Sequence, residues 1–306
     1  MKKLFRIGSR ASRLALVQAQ AVRAMLSEAH PEAGFEIVRI STQGDQNRRV
    51  SLGRLPGVGF FVKELEVALL DGSIDIAVHS LKDMPVDVPP GLYLAAISRR
   101  EDPRDVLVTR GLTLSELPEG AKIGSDSLRR AFQLKAVRPD IEVSSIRGNI
   151  ETRLKAVETG RFDGVILAAA GLIRLGWEDS ITQLLPLDDF LPPPGQAALG
   201  IEIRKDDDDT ADIIAVLDDE PTHQAVLAER AFLRRLGGGC RAPIAALGTV
   251  ENGILTLRGM VADEEGRQII RESIAGDAAE AGELGEALAG KVLQKGAAGF
   301  LGECRQ

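Results

Sequence analysis

Strand-like and helix-like segments alternate through the first two hundred residues, and this alternation restricts the fold more than any other feature. Short apolar runs at 5–8, 35–41 and 74–79 are separated by segments 12–29 and 61–70, where apolar residues recur at helical spacing. Strand–helix–strand order predicts a mainly parallel sheet covered by helices on both faces. The buried face expected for the first helix comprises Leu14, Val17, Ala21, Val22 and Met25.

The same alternation restarts after the charged segment 98–105. The predicted strands and helices of this second unit are 122–125, 127–137, 141–146, a helix from Asn149, and 163–169. The unit ends at 188–196, where three consecutive prolines stop any helix or strand. The apolar run 198–203 is assigned back to the first sheet, so the chain would cross twice between the two units.

The pattern changes again from about Glu220. A helix at 222–236, strands near 244–250, 254–262 and 267–274, and a C-terminal helix predict a small mixed domain. The predicted fold class is α/β, with two periplasmic-binding-protein-like α/β domains joined by a double hinge and a small α+β C-terminal domain. The predicted limits are 1–98 with 197–217, then 103–191, and then 220–306.

Composition excludes several classes of protein. A net charge of −7 gives no reason to expect nucleic acid or an anionic membrane as partner, and no run of about 18 apolar residues is present. Two cysteines form no disulfide framework, and Arg6, Arg10 and Arg13 interrupt any signal-peptide core. Three scattered histidines argue against a catalytic metal. We expect a cytoplasmic monomer.

Cations and hydroxyls recur directly after the predicted strands. In open α/β sheets, ligands bind beyond the carboxyl ends of the strands. The residues at these positions are Ser9, Arg10, Ser12, Ser80, Lys82, Asp83, Ser125, Ser127, Arg129, Arg130, Arg147, Gly148, Asn149, Arg153 and Arg174. A single such arginine is most often surface charge, but the repetition predicts a ligand with several carboxylates or phosphates. Nucleotide-binding glycine motifs are absent.

Two residues have a distinct chemistry, one in these loops and one in a glycine-rich loop after a predicted helix. Asp83 is an acid among cations; it either pairs with a neighbouring cation or is kept to stabilise a developing positive charge. Cys240 lies between Gly239 and Arg241, where the guanidinium favours the thiolate. A non-enzymatic, two-lobed binding protein for a small polycarboxylate needs no such thiol. A cysteine-dependent acyl transferase needs a base that no histidine motif supplies.

Three motifs in order carry a family resemblance: VHSLKDMP at 78–85, SLRR at 127–130 and GGGCRAP at 237–243. Over essentially the whole chain, the sequence resembles the porphobilinogen deaminase (hydroxymethylbilane synthase) family. The resemblance implies a transferase of heme and tetrapyrrole biosynthesis that joins four porphobilinogen molecules head to tail with loss of ammonia. It also implies a dipyrromethane cofactor attached to Cys240 by a thioether, and water as the agent that releases hydroxymethylbilane.

The resemblance also assigns roles to individual residues. Asp83 matches the catalytic aspartate. The implied cofactor-binding residues are Cys240, Lys82, Asp83, Ser127, Arg129, Arg130, Arg147 and Gly148. The implied substrate-binding residues are Arg10, Ser12, Gln18, Arg153, Arg174, Gln196 and Phe61, although Phe61 is equally well explained as a core residue.

Three positions depart from the family pattern. Val58 stands where a loop lysine is usual, Pro194 replaces a smaller residue, and Asp126 stands where Ser or Thr is usual. An N-cap role for Asp126 on the following helix is physically reasonable. Because Asp126 would repel a bound carboxylate, we expect its side chain to point away from the ligand. His79, at the end of a buried strand, is expected to be a hydrogen-bonded core residue.

Overall fold

The computed structural model describes residues 4–41, 62–237, 243–263 and 266–300. The chain forms two compact units, Met1–Glu101 with Ala198–His223, and Asp102–Ala197 with Gln224–Gln306. The strands are β1 Leu4–Arg10, β2 Gly34–Ile40, β3 Ile76–Ser80, β4 Leu92–Ile97, β5 Asp105–Thr109, β6 Lys122–Gly124, β7 Glu142–Ser144, β8 Gly164–Ala168, β9 Gln183–Leu184, β10 Leu199–Arg204, β11 Ile244–Glu251, β12 Ile254–Ala262 and β13 Ile269–Asp277. The helices are α1 Arg13–Ala29, α2 Lys63–Leu70, α3 Leu128–Val137, α4 Ile150–Glu158, α5 Ala169–Leu175, α6 Asp208–Ile214, α7 Glu220–Leu236 and α8 Ala281–Gln294.

The first unit contains a five-stranded sheet in the order β2-β1-β3-β10-β4. β1 is parallel to β2 and β3, whereas β10 is antiparallel to β3 and β4. Apolar side chains form a core on each face, one against α1 around Val22 and Leu26 and one against α2 around Leu65 and Leu69. The predicted return of 198–203 to the first sheet is confirmed.

The second unit contains a five-stranded sheet in the order β7-β6-β8-β5-β9. β6 is parallel to β7 and β8, and β5 is antiparallel to β8 and β9. The sequence prediction missed β4, β5 and the two-residue strand β9. β4 and β5 follow one another directly, joined by the charged residues 98–104 with no helix between, so the alternation of strands and helices is absent there.

The same unit contains an antiparallel sheet in the order β11-β12-β13, which packs against α7 and α8. The two helices lie close together at Gly285, where a Cβ atom would come within 2.3 Å of the Ala228 carbonyl oxygen. This sheet and its helices are the α+β part that the sequence predicted.

The buried face of α1 differs from the predicted one. Its buried residues are Gln18, Ala19, Val22 and Leu26. Ala21 is exposed and Met25 is 42% exposed, so the predicted face was wrong at these two positions. The buried stripe is centred on a glutamine that bonds to β3, and a search for apolar periodicity cannot find a buried polar residue.

Asp105 is the centre of a buried ionic cluster in the second unit. It opens β5 and is fully buried. Its Oδ2 accepts a hydrogen bond of 2.7 Å from Arg129, and its Oδ1 accepts bonds of 2.7 Å from Arg130 and 2.9 Å from Gln196. The cluster therefore joins β5, α3 and the segment that follows the three prolines.

The same guanidinium groups also bind backbone carbonyls. Arg129 Nη1 donates to Leu191 O at 2.6 Å, and Arg130 Nη1 donates to Ile166 O at 3.1 Å. Burial by itself would raise the pKa of Asp105, but the charges of both arginines hold that pKa well below its usual range. Asp105 is therefore ionised in the folded state.

We predict that Asp105→Asn costs about 3–5 kcal/mol of unfolding free energy, because it leaves two buried guanidinium groups without their anion. Urea unfolding at neutral pH measures this cost. Because the folded pKa is lowered, the contribution of Asp105 is present above its unfolded pKa and is lost as the pH falls through its folded value. The matched control is Asp188→Asn, which breaks an exposed pair with Arg258 and should cost about 0–1 kcal/mol. Equal costs for the two variants would contradict the conclusion that Asp105 is the buried anion that stabilises this unit.

Candidate functional site

The carboxyl ends of β1 and β3 form a recess in the first unit. Arg10 ends β1, Ser80 ends β3, and Lys82 and Asp83 lie in the short 3₁₀ turn that follows. The recess is lined by Arg10, Ala15, Gln18, Val62, Val78, His79, Ser80 and Asp83. The structure thus brings the predicted residues Arg10, Gln18 and Asp83 to one recess.

Gln18 connects α1 to the end of β3. Its Nε2 lies 2.9 Å from Ser80 Oγ, and that hydroxyl lies 3.1 Å from Gln18 Oε1. Ser12 is the N-cap of α1, and its side chain accepts a bond of 3.3 Å from the Ala15 amide. These contacts fix the start of α1 beside the recess.

His79 is hydrogen-bonded in the core, as the sequence predicted. Its Nε2 lies 3.0 Å from Glu202 Oε2 across the β3–β10 pair, and both side chains are buried. Glu202 Oε1 is buried without a hydrogen-bond partner among the residues that the structure describes. Burial, and then the charge of Glu202, raise the pKa of Glu66, on α2. His79 thus lines the recess and is held in place by its contact with Glu202.

Two of the predicted cations of the second unit belong to the Asp105 cluster. Arg129 donates to Asp105 and to the Leu191 carbonyl, so its guanidinium is held within the fold. Arg130 is buried too, yet its Nε has no hydrogen-bond partner among the described residues. Arg130 can therefore donate one further hydrogen bond to an acceptor.

Arg153 is the cation on which both Arg130 and Arg147 act. The pKa of Arg153 is lowered first by burial and then by the charge of Arg130, with a smaller contribution from Arg147. Arg153 Nε donates to Gly148 O at 3.1 Å. The φ of Gly148 is +108°, and a Cβ atom there would come within 2.7 Å of Thr152, so only glycine suits this turn.

The expectation that Asp126 caps α3 was wrong. The N-cap is Ser127, whose side chain accepts from the Arg130 amide at 3.4 Å, and Ser125 Oγ accepts from the Ser127 amide at 3.2 Å. Asp126 instead forms an ion pair with Arg147 at 3.1 Å and accepts a hydrogen bond from Ser145. Ser125 and Ser127 already accept hydrogen bonds from the amides at the start of the helix. The Asp126 carboxylate is paired instead with Arg147, a candidate ligand-binding cation.

Arg174 and Gln196 lie at the end of the second unit. Arg174 Nη2 donates to Ala197 O at 2.6 Å, and Gln196 Nε2 donates to both Asp105 and the Pro103 carbonyl. Ala197 has a φ of +75°, which is uncommon for a residue other than glycine. Arg174 thus holds the carbonyl of an unusual backbone turn.

Several predicted positions lie outside the described residues: Cys240, Phe61, Val58 and Cys304. Among the described residues, no group of three or more His, Cys, Asp or Glu side chains could hold a metal ion. Within the same ranges, no helix has the length and apolar character needed to cross a membrane.

The side chains of the second unit suit a polycarboxylate cofactor. Arg153 interacts electrostatically with both Arg130 and Arg147. The buried Arg130 Nε has a donor to offer. Carboxylates are the natural partners of clustered guanidinium groups.

The sequence reasoning missed Asp105 and Glu202. Neither follows a predicted strand, and Asp105 begins a strand that was not predicted. One signal for Asp105 was present in the sequence, namely the two adjacent arginines at the start of a helix. If such arginines pack inside the fold, they need a buried anion.

Relatives of this chain share most of its length. A porphobilinogen deaminase of Alkaliphilus metalliredigens is 49% identical over 96% of this chain and 94% of its own. The enzyme of the same name from Syntrophotalea carbinolica is 51% identical over 95% and 93%. That of Geobacter metallireducens is 48% identical over 99% and 96%.

Solved structures of low sequence identity also match. The periplasmic VFT2 domain of BvgS from Bordetella pertussis has a TM-score of 0.41 and 17% identity, covering 70% of this chain and 86% of that chain. The periplasmic aliphatic sulphonate binding protein SsuA from Escherichia coli has a TM-score of 0.39 and 15% identity, covering 76% and 68%. At these scores the likeness decides nothing about the ligand of this chain.

Two sequence families match consecutive parts of the chain. Residues 5–212 match the family described as "Porphobilinogen deaminase, dipyromethane cofactor binding domain". Residues 223–294 match "Porphobilinogen deaminase, C-terminal domain". Together with the full-length relatives, these matches mean that the chain belongs to the porphobilinogen deaminase family.

Proposed function

We propose that this chain is a hydroxymethylbilane synthase that joins four porphobilinogen molecules head to tail with loss of ammonia. The observation that carries the proposal is the recess where Asp83 lies with Arg10, Gln18 and Ser80 at the carboxyl ends of β1 and β3. It places one acid beside a cation and two hydrogen-bonding groups. Family membership gives the reaction class.

The cations would hold the carboxylates of the ligands. Each pyrrole unit carries an acetate and a propionate, so a growing chain presents many anions. The residues that would bind substrate are Arg10, Ser12, Gln18, Arg153, Arg174, Gln196 and Phe61. The residues that would bind the cofactor are Lys82, Asp83, Ser127, Arg130, Arg147 and Gly148. A sheltered guanidinium–carboxylate contact stabilises by about 1.5–3 kcal/mol, which is enough to fix the orientation of each unit.

Arg129 is proposed to act on the cofactor through its neighbour. Both of its bonded nitrogens donate inside the fold, to Asp105 and Leu191. Its charge still contributes to the cationic region around Arg130. Arg129 thus positions Arg130 rather than donating to a ligand itself.

Asp83 would act on the pyrrole nitrogen and on the charge that develops nearby. Its carboxylate accepts a hydrogen bond from a pyrrole N–H and stabilises positive charge as ammonia leaves and the next bond forms. Arg10 and Gln18 then orient the carboxylates around the same recess. The dipyrromethane, when bound through a thioether to Cys240, supplies the pyrrole carbon on which chain growth starts.

The remaining features of the proposal concern organisation. The chain works as a cytoplasmic monomer, with domains at 1–98 with 197–217, 103–191 and 220–306. Sedimentation velocity, cell fractionation and limited proteolysis test these three statements. A non-enzymatic binding protein for a small polycarboxylate is the alternative, and the next experiment separates the two.

We predict that the intact denatured protein has the mass of its polypeptide plus two pyrrole units. Cys240→Ser should have the bare polypeptide mass and little activity, because it lacks the attacking sulfur. The matched control is Cys304→Ser, which should keep both the added mass and the activity. Reductant should not remove the group, since a thioether is not a disulfide. An active wild-type protein of bare polypeptide mass would refute the attachment.

Asp83→Asn should keep the fold and the added mass while turnover falls by about 100- to 1000-fold, the usual effect of removing one preorganised charge. The measurement is the steady-state rate at saturating porphobilinogen, with circular dichroism as a check on folding. Glu28→Gln, an exposed change on α1, provides the control and should retain full turnover. A near-normal rate for Asp83→Asn would leave Asp83 with no catalytic part.

Arg147→Gln and Arg129→Gln should fail in different ways. Arg147→Gln should remain stable but accumulate a different set of enzyme-bound intermediates, because Arg147 is partly exposed at the ligand edge. Arg129→Gln should chiefly lower the unfolding midpoint, because it breaks the buried cluster. Mass spectrometry after limited substrate addition and thermal unfolding report the two effects. Identical intermediates and midpoints in both variants would contradict this division.

A further inference from the structure

Asp126 lies among the cations proposed to bind cofactor and substrate carboxylates. We infer that Asp126 is a resident counter-ion of Arg147, and that a ligand carboxylate must displace it to bind there. The identity of that ligand rests on the proposed function, whereas the displacement rests on the contacts of Asp126.

The two oxygens of Asp126 are held differently. Oδ1 accepts a hydrogen bond from the Ser145 hydroxyl. Oδ2 lies 3.1 Å from Arg147 Nε, yet it accepts no hydrogen bond from the residues that the structure describes. The contact with Arg147 is therefore an ion pair without a directed N–H, so a ligand carboxylate that takes the place of Asp126 has no directed hydrogen bond to break.

Two cations act on this carboxylate, Arg147 as its ion-pair partner and Arg153 through its charge. The pKa of Arg153 is lowered first by burial and next by Arg130, whereas Asp126 raises it and Arg147 lowers it. Like charges destabilise one another, and Asp126 offsets part of the repulsion on Arg153. The carboxylate thus stabilises the cluster in the absence of a ligand.

Other roles for Asp126 are already filled. Ser127 caps α3, so no carboxylate is required at the start of the helix. Arg130 has Asp105 as its own buried counter-ion. Neither helix initiation nor the neutralisation of Arg130 accounts for an acid at position 126.

If Asp126 is a counter-ion, its removal changes the stability of the ligand-free protein and the affinity for a ligand in opposite directions. Removing Asp126 should destabilise the ligand-free protein, because Arg147 and Arg153 then repel each other without compensation. The same removal should strengthen binding of a polycarboxylate, because no resident anion has to be displaced. A residue that only supports the fold would produce the first effect alone.

The experiment uses full-length protein carrying Cys240→Ser, with citrate as the polycarboxylate probe. Adding Asp126→Ser should lower the thermal midpoint without citrate. It should also reduce, by about tenfold, the citrate concentration that gives the half-maximal increase in that midpoint. Asp126→Asn provides a second variant of the same shape, and it should move both quantities in the same directions. An unchanged citrate response in both variants would overturn the inference.

Two controls locate the effect. Asp188→Ser removes an acid paired with Arg258 in the same unit and should leave the citrate response as it was. Arg147→Gln, added to Asp126→Ser, should abolish the gain in citrate binding, since the two residues act on one another. A gain that persists without Arg147 would place the citrate elsewhere and refute the inference.

This result is separable from the proposed function. The titration reads anion binding in protein that lacks Cys240, so it needs neither the attached cofactor nor turnover. If the wild-type protein carried no added mass, the proposed function would fail while the citrate response still decided the role of Asp126.

Discussion

The buried carboxylate of Asp105 is the interaction on which the second α/β unit depends. It is paired with Arg129 and Arg130, two charges that the fold could not bury without it. Because Gln196 binds the same carboxylate, the start of β5, the start of α3 and the segment after the prolines are fixed together. Arg130, whose Nε has no hydrogen-bond partner among the described residues, derives its position from this cluster.

Guanidinium groups that follow the neighbouring strands β6 and β7 therefore have different tasks. Arg129 donates to an internal anion and a carbonyl, whereas Arg147 sits at the edge of the sheet beside a loosely paired acid. Their sequence positions do not separate them, since both follow a strand of the same sheet. Burial separates them, because a buried guanidinium must satisfy its donors inside the protein.

The order of strands and helices was predictable because buried strands are apolar runs and the helices that cover them carry apolar residues at helical spacing. The expectation of a mainly parallel sheet was wrong, because each five-stranded sheet has two parallel and two antiparallel pairs. The same reasoning placed Arg10, Lys82 and Asp83 at the ends of strands. It failed where polar contacts decide the structure. The buried face of α1 includes Gln18, which bonds to Ser80, and Asp126 pairs with Arg147 while Ser127 caps the helix. Such partners depend on contacts between distant parts of the chain, which periodicity does not report.

The position of β10 has a consequence for synthesis of the protein on the ribosome. β10 lies between β3 and β4, so these two strands have no neighbour on their facing edges until residues 199–204 have emerged. The first sheet starts at Leu4, but its last strand is synthesised only after all strands of the second sheet. A nascent chain would therefore carry two open strand edges for about a hundred residues of elongation, which is the interval when a chaperone would be needed to prevent wrong pairing.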